Sequence, residues 1–140
     1  MEWLLFFHFV GIIIGLGAVT VIDTMGFFSR KDKKKTQDTI ATHHTTKPLI
    51  WLGTIIVLIT WIFMLLENSF EGIYLWKSLL LVIMLFNGAF LSFVVSPALD
   101  KLIGKNVLLP FNLQIKISIS LIISFVSWWS FVALSVFALN

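Results

Sequence analysis

The chain has 140 residues, of which 59% are hydrophobic and 12% are charged, and its formal net charge is +3. Seven acidic and ten basic residues cannot cover the surface of a soluble domain of this length, so the composition excludes an ordinary soluble fold. The sequence has no cysteine, which excludes disulfides, thiolate metal sites and a cysteine nucleophile. The class that remains is an all-α, polytopic membrane protein.

Four apolar stretches are each long enough to cross the ~30 Å hydrocarbon core as a helix, which takes about 20 residues. We predict spans over about residues 3–28, 48–66, 73–95 and 111–139, packed as a four-transmembrane-helix bundle in a single domain, residues 1–140. The second span is predicted to begin at Lys47–Pro48, because proline suits the first helical turn. The third is predicted to end at Ser96–Pro97, because proline disfavours helical backbone in the residue before it.

The basic residues indicate how the spans are oriented. Six of the ten lie between Arg30 and Lys47, in a predicted loop of residues 29–47, and the third connection holds two more. The second connection, residues 67–71, has none. The positive-inside rule therefore predicts a cytoplasmic basic loop and two outside termini, in the inner membrane of a bacterium. Topology and attraction to anionic headgroups explain the basic run, so we predict the lipid bilayer as the partner and no nucleic acid.

The first span carries an ionisable residue, which marks a candidate site because burial in lipid costs at least a few kcal/mol. His8 lies near the outer end, and Gly11 and Gly15 follow at helical spacing on the same face. One interpretation is haem b, whose iron an imidazole ligates and whose macrocycle needs the room that glycines leave. The other is a histidine that hydrogen-bonds across the bundle, with the glycines serving helix packing.

The first apolar stretch is predicted to be a transmembrane span and not a cleaved signal peptide. A signal peptide begins with basic residues, whereas this sequence has Glu2 there.

A second candidate site is predicted at the cytoplasmic edge of the membrane. Asp23 lies near the end of the first span, and His43 and His44 precede the second span at the same membrane level. A carboxylate and imidazoles at one edge can relay protons or hold a metal or another ion. The alternative is that the histidines are solvated and that Asp23 forms a salt bridge with Arg30 or a loop lysine.

The third span contains a lysine and an asparagine. Lys77 lies at about the depth of His8, and Asn87 lies near mid-membrane. Lys77 either extends its amine to the headgroups or pairs with a carboxylate, from a haem propionate or from Glu67 or Glu71. Asn87 is turned about 80° away from Lys77 around the helix, so it is predicted to bond to a different helix.

Helix geometry limits which residues can ligate one haem. His8 and His44 differ by ~20 Å in depth, at 1.5 Å per residue, so they cannot be its two axial ligands. With His8 on the iron, the sixth position is open, or it is filled by Met64, by Met84 or by a neighbouring copy. A homodimer or higher oligomer is therefore part of this hypothesis.

Three segments of the chain support a resemblance to a known group of proteins: His8–Gly11, Gly15–Ala18 and Leu75–Leu79. With four spans in about 140 residues, they resemble the HemJ-type protoporphyrinogen oxidases and the related CopD-like bacterial membrane proteins. The resemblance extends over the whole chain in layout and depends on about a dozen positions. CopD-like copper handling is the weaker part, because the chain has no cysteine and no methionine cluster for Cu(I).

The resemblance implies that His8 and Lys77 act as a pair associated with haem b. Leu75 and Asp23 stand where the HemJ pattern tends to have a histidine and a basic residue, so haem binding is implied more than protoporphyrinogen oxidation. Our first hypothesis is therefore a haem-b-binding membrane protein with a redox or porphyrin-related role. One alternative is an oligomeric ion or proton channel or transport protein without a cofactor. Its candidate residues are Asp23, His43, His44 and Asn87, together with a row of serines in the fourth span, Ser120, Ser124 and Ser127. The other alternative is a structural subunit of a membrane complex.

Overall fold

The computed structural model describes residues 2–68 and 71–137, so residues 69–70 of the second connection and 138–139 of the predicted fourth span lie outside it. The helices, in chain order, are α1 (Glu2–Phe28), α2 (Lys33–Glu67), α3 (Ile73–Phe90), α4 (Ser96–Asp100) and α5 (Phe111–Phe137). A wider π-helical turn, Leu91–Val95, joins α3 to α4 without a break. The described residues form four helices that are long and apolar enough to cross a membrane, and no strands. This confirms the predicted all-α, four-helix membrane fold.

The predicted loop over residues 29–47 is wrong, because most of it is helical. Only a short turn, residues 29–32, separates α1 from α2. The carboxylate of Asp32 caps α2 and accepts hydrogen bonds from the backbone N–H groups of Lys34 at 2.9 Å and Lys35 at 3.2 Å. This cap starts the helix well before the predicted second span, and α2 is 35 residues long as a result.

Two prolines that were predicted to bound spans lie within helical segments. Pro48 lies inside α2 and not at its start. Pro97 follows the π-helical turn, in which the backbone N–H of Ser96 bonds to the carbonyl of Leu91. The proline then occupies the first turn of α4, where its missing N–H is not needed. The third span therefore continues to Asp100, beyond the predicted end.

The helices form two close pairs, α1 with α2 and α3 with α5. Three glycines bring the first pair together, because a Cβ on Gly53 would lie 2.5 Å from the backbone nitrogen of Gly15 and 2.7 Å from the carbonyl oxygen of Gly11. The two pairs meet through a core of large apolar side chains, namely Ile12, Val19, Val57, Trp61, Leu81, Met84, Trp128 and Phe131.

The outside of the bundle is also apolar. Phe86 and Phe93, for example, are 74% and 77% exposed. Exposed apolar surface of this extent suits contact with lipid tails and not with water. The polar residues concentrate at the two ends. We call one the basic end, near the exposed Lys33, Lys34, Lys35, Lys101 and Lys105, and the other the acidic end, near Glu2, Glu67 and Glu71.

The N-terminal part of α2 is packed at the basic end and does not project from the bundle. Ile40 is buried there with Val95 of the π-helical turn and Leu99 of α4. This contact fixes the α2 extension against the end of the third span. It thereby turns one face of that extension, including His43, toward the bundle interior.

Candidate functional site

A cavity of about 90 Å³ lies inside the half of the bundle nearer the basic end. Asp23 of α1, His43 of α2 and Asn87 of α3 all line it, with Ser124 and Trp128 of α5 opposite. The volume holds a few water molecules. Most of the other lining side chains are apolar. The structure thus gathers into one cavity Asp23 and His43, which the sequence placed at one membrane edge, and Asn87, which it placed near mid-membrane.

Two buried polar atoms of the cavity residues lack a hydrogen-bond partner among the described residues: Oδ2 of Asp23 and Nε2 of His43. His43 is only 8% exposed, so water outside the bundle does not hydrogen-bond to the buried nitrogen of its ring. Leaving such an atom unpaired costs roughly 1–3 kcal/mol. Both residues line the cavity, so water molecules held there can supply the missing partners.

The predicted salt bridge between Asp23 and Arg30 does not form. The Arg30 guanidinium donates a hydrogen bond to Oγ of Ser118 at 2.9 Å and lies 5.2 Å from the ring centroid of Phe27. No lysine of the described chain lies within 4 Å of the Asp23 carboxylate. The carboxyl group of Asp23 therefore belongs to the cavity and not to the charged surface.

The two adjacent histidines have different environments. His44 lies outside the cavity, where its Nε2 is 3.2 Å from Oδ1 of Asp100 and both side chains are 48% exposed. Only His43 belongs to the candidate site, so the prediction that groups His44 with it is wrong. The described parts of the chain bring no three His, Asp or Glu side chains close enough to hold a metal ion, so the predicted metal at this edge has no ligand set there.

Asn87 links α3 to α5, which confirms the predicted bond to a different helix. Its Nδ2 donates to the carbonyl of Ser120 at 3.1 Å, and Oγ of Ser120 donates to its Oδ1 at 2.6 Å. Both side chains are buried. The amide is therefore satisfied, and it contributes to the cavity wall without an unpaired atom.

The side-chain bond of this link, from Oγ of Ser120 to Oδ1 of Asn87, is expected to give a coupling of about 0.6–1.7 kcal/mol between the two residues, the range for hydrogen bonds between membrane helices. The measurement is a double-mutant cycle of unfolding in detergent with Asn87→Ala, Ser120→Ala and the double variant. Strictly additive losses of stability contradict the link.

His8 is completely buried in the half of the bundle nearer the acidic end. Its Nδ1 lies 2.8 Å from Oγ1 of Thr60, and that hydroxyl donates its own proton to the carbonyl of Ile56 at 2.8 Å. When this hydroxyl proton lies on the Ile56 carbonyl, the Nδ1–H tautomer completes the contact and leaves the lone pair of Nε2 as an acceptor. Nε2 lies 3.4 Å from Nζ of Lys77.

Lys77 does not extend its amine to the headgroups, because the side chain is only 3% exposed. Its Nζ lies 4.3 Å from the ring centroid of Trp61 and 5.0 Å from that of Phe131. Aromatic faces attract an ammonium group. No described carboxylate lies within 4 Å of Nζ, so the predicted pairing with Glu67 or Glu71 is not formed.

The residues around His8 do not fit a haem as they are packed here. Gly11 faces the side chain of Ile56, and Gly15 faces the indole of Trp128, so the surface predicted to receive a macrocycle is covered by α2 and α5. Both ring nitrogens of His8 already contact neighbouring side chains. The glycines serve helix packing, which is the alternative interpretation of their spacing.

Sequence reasoning missed the α2 residues that complete these contacts. Gly53 contacts α1 and Thr60 bonds to His8, whereas neither was singled out. The available signal was a row of small residues, Thr46, Gly53 and Thr60, spaced by seven and buried on one face of α2. Such a row is typical of a helix that packs closely in a membrane.

Comparison of the chain with protein-family models, curated proteins and solved structures finds no match. The resemblance to HemJ-type and CopD-like proteins therefore stays a prediction.

Proposed function

We propose that this chain is a membrane protein that moves protons across the bilayer and binds them at Asp23 and His43. One observation carries the proposal: Asp23 of α1 and His43 of α2 line one interior cavity. Each also has a buried polar atom, a carboxyl oxygen and an imidazole nitrogen, without a partner among the described residues. Intramembrane carboxylates and histidines are the usual stations of proton relays in pumps and transporters. A histidine also exchanges its proton readily near neutral pH.

The chemistry of the cavity favours a proton or another cation over an anion. None of the residues that line it is a lysine or an arginine. Three lining threonines donate their hydroxyl protons to backbone carbonyls, so toward a ligand their oxygens act as acceptors; these are Thr36, Thr39 and Thr54. The threonine oxygens and the Asp23 carboxylate can therefore accept hydrogen bonds from a protonated chain of water molecules.

An apolar core lies between this cavity and the acidic end, because its members reach from the cavity, at Trp128, to Lys77, at Trp61 and Phe131. It includes Ile12, Val57, Leu81 and Trp128, and Trp128 itself forms part of the cavity wall. A proton cannot cross a dry layer of this kind, so transport requires that the layer hydrate or move. The proposal is therefore gated transfer and not a permanently open pore.

The proposal includes an orientation. We infer that the basic end faces the cytoplasm and that both termini lie outside, in the inner membrane of a bacterium, because exposed lysines concentrate at one end. In this orientation the Asp23–His43 cavity is a proton-binding site in the half of the bundle nearer the cytoplasm. A homodimer and a larger complex remain predictions. Haem b binding is the competing hypothesis, which the packing around His8 does not favour.

Labelling of single cysteines is expected to confirm this orientation. The sequence contains no cysteine, so Lys34→Cys and Glu71→Cys each introduce one reactive thiol at an exposed position. With a membrane-impermeant maleimide on intact cells whose outer membrane has been permeabilised, we expect Glu71→Cys to react and Lys34→Cys to react only after lysis. The reverse pattern contradicts the orientation.

Proton flux in liposomes tests the function itself. Wild-type protein reconstituted around a pH-sensitive dye is expected to dissipate an imposed pH gradient faster than protein-free liposomes do, with valinomycin and potassium to balance charge. Asp23→Asn removes the exchangeable carboxyl proton and keeps the shape of the side chain, so the added flux is expected to fall about tenfold or more.

The matched control is Asp38→Asn, which makes the same change at an exposed aspartate of α2. This variant is expected to keep the wild-type flux. A wild-type protein with no flux above that of protein-free liposomes contradicts the proposal, and so does an Asp23→Asn variant with undiminished flux.

A further inference from the structure

We propose that the Lys77 ammonium is a fixed positive charge that holds cations back at the acidic end of the bundle and so limits proton flux. The inference rests on the proposed function and adds a residue that determines which ions pass and how fast. The observations behind it are the burial of Lys77, its aromatic surroundings and the lack of a described carboxylate within 4 Å of Nζ.

The contacts of Nζ favour the charged form of the amine. The faces of the Trp61 and Phe131 rings carry partial negative charge, which attracts a cation. They stabilise a neutral amine much less. Nε2 of His8 lies 3.4 Å from Nζ, and in the Nδ1–H tautomer its lone pair accepts one of the ammonium protons. Trp61 is in turn held by a stacked Tyr74, with ring centroids 5.4 Å apart, and by a hydrogen bond from its Nε1 to Ser78.

The position of Lys77 places this charge in the path across the bundle. It is the one lysine or arginine that is buried among the described residues. It lies at the junction of all four long helices, because its neighbours His8, Trp61 and Phe131 come from α1, α2 and α5. We therefore place Lys77 on the route of a cation that moves through the bundle interior between the cavity and the acidic end.

The expected size of the effect follows from Coulomb's law. We take the Lys77 ammonium and a passing cation to be ~10 Å apart, at an effective dielectric constant of about 20. Their repulsion is then large enough to lower the rate at which the cation passes about tenfold. Channels that exclude protons and cations use a fixed positive charge in the same way. The two polar clusters then have opposite roles, since the Asp23–His43 cavity attracts a cation and Lys77 repels it.

The test measures proton flux in the reconstituted full chain with Lys77→Met, which removes the charge and keeps a long apolar side chain. We expect the flux to rise about tenfold over wild type. Lys77→Gln keeps a donor for Nε2 of His8 and is expected to raise the flux as well, so it serves if the methionine variant does not fold. Lys77→Arg keeps the charge and is expected to hold the flux low, and Lys34→Met is the control for loss of an exposed lysine.

A role for Lys77 in packing alone predicts a different pattern. In that case Lys77→Gln and Lys77→Met lower thermal stability without raising the flux, which overturns the inference. Adding Asp23→Asn to Lys77→Met separates this inference from the proposed function. If Lys77→Met raises the flux and the double variant loses it, both are supported. If the raised flux persists without the Asp23 carboxyl, the route through the cavity is wrong.

Discussion

Replacing Gly53 with alanine is expected to destabilise the bundle strongly, and replacing it with leucine is expected to leave little folded protein. A Cβ at this position would lie 2.5–2.7 Å from backbone atoms of Gly15 and Gly11. Backbone atoms of a packed helix cannot move aside as a flexible side chain can, so α1 and α2 must separate. Overpacking of a tight core typically costs about 1–3 kcal/mol, and we expect a clash with backbone to lie at the upper end of that range.

Gly17 is the matched control for this prediction. It is also a glycine inside a long helix, although in α1, and a Cβ there would meet nothing within 4 Å. Gly17→Ala is therefore expected to leave the thermal midpoint unchanged or raise it slightly, because alanine favours helix by roughly 0.5–1 kcal/mol. The measurement is thermal unfolding in detergent, followed by circular dichroism and by size-exclusion chromatography. Equal midpoints for Gly53→Ala and Gly17→Ala contradict the described α1–α2 contact.

The absorption spectrum of the purified protein is expected to lack a Soret band, even after expression with added haem precursor. His8 has no open ring nitrogen in this packing, and Trp128 covers Gly15, where a macrocycle would lie. The spectrum is recorded in the oxidised state and again after reduction with dithionite. A Soret band that disappears in His8→Gln contradicts this geometry and restores the haem interpretation.

The fold was largely predictable because membrane helices are marked by continuous apolar stretches. The apolar runs predict four spans, and the long helices contain all of them within the described residues. The N-terminal extension of α2 was not predictable from hydropathy. The lysines of this segment predicted a loop. The segment is instead a packed helix, because Asp32 caps its start and Thr36, Ile40 and His43 are buried on one side of it. Charge composition indicates orientation and does not by itself exclude helix.

The sequence predicts which candidate residues lie at the same depth in the membrane, because depth follows from position along a helix. Equal depth places His8 beside Lys77, and it places Asp23 at the level of His43. What depth cannot give is which helices are neighbours and which side chains fill the gaps. Trp128 reaches Gly15 from the last helix, and no local pattern in either segment predicts that contact. The interpretation of the glycines as room for a ligand therefore could not be decided before the packing was known.

The most direct test of the central claim is a flux cycle on the two cavity residues. Proton flux is measured in liposomes that contain wild type, Asp23→Asn, His43→Gln or the double variant, with His44→Gln as the matched histidine outside the cavity. Because Asp23 and His43 line one cavity, we predict that either single variant removes most of the flux and that the double variant removes no more. Undiminished flux in the single variants, or losses that multiply as for independent routes, would contradict the account.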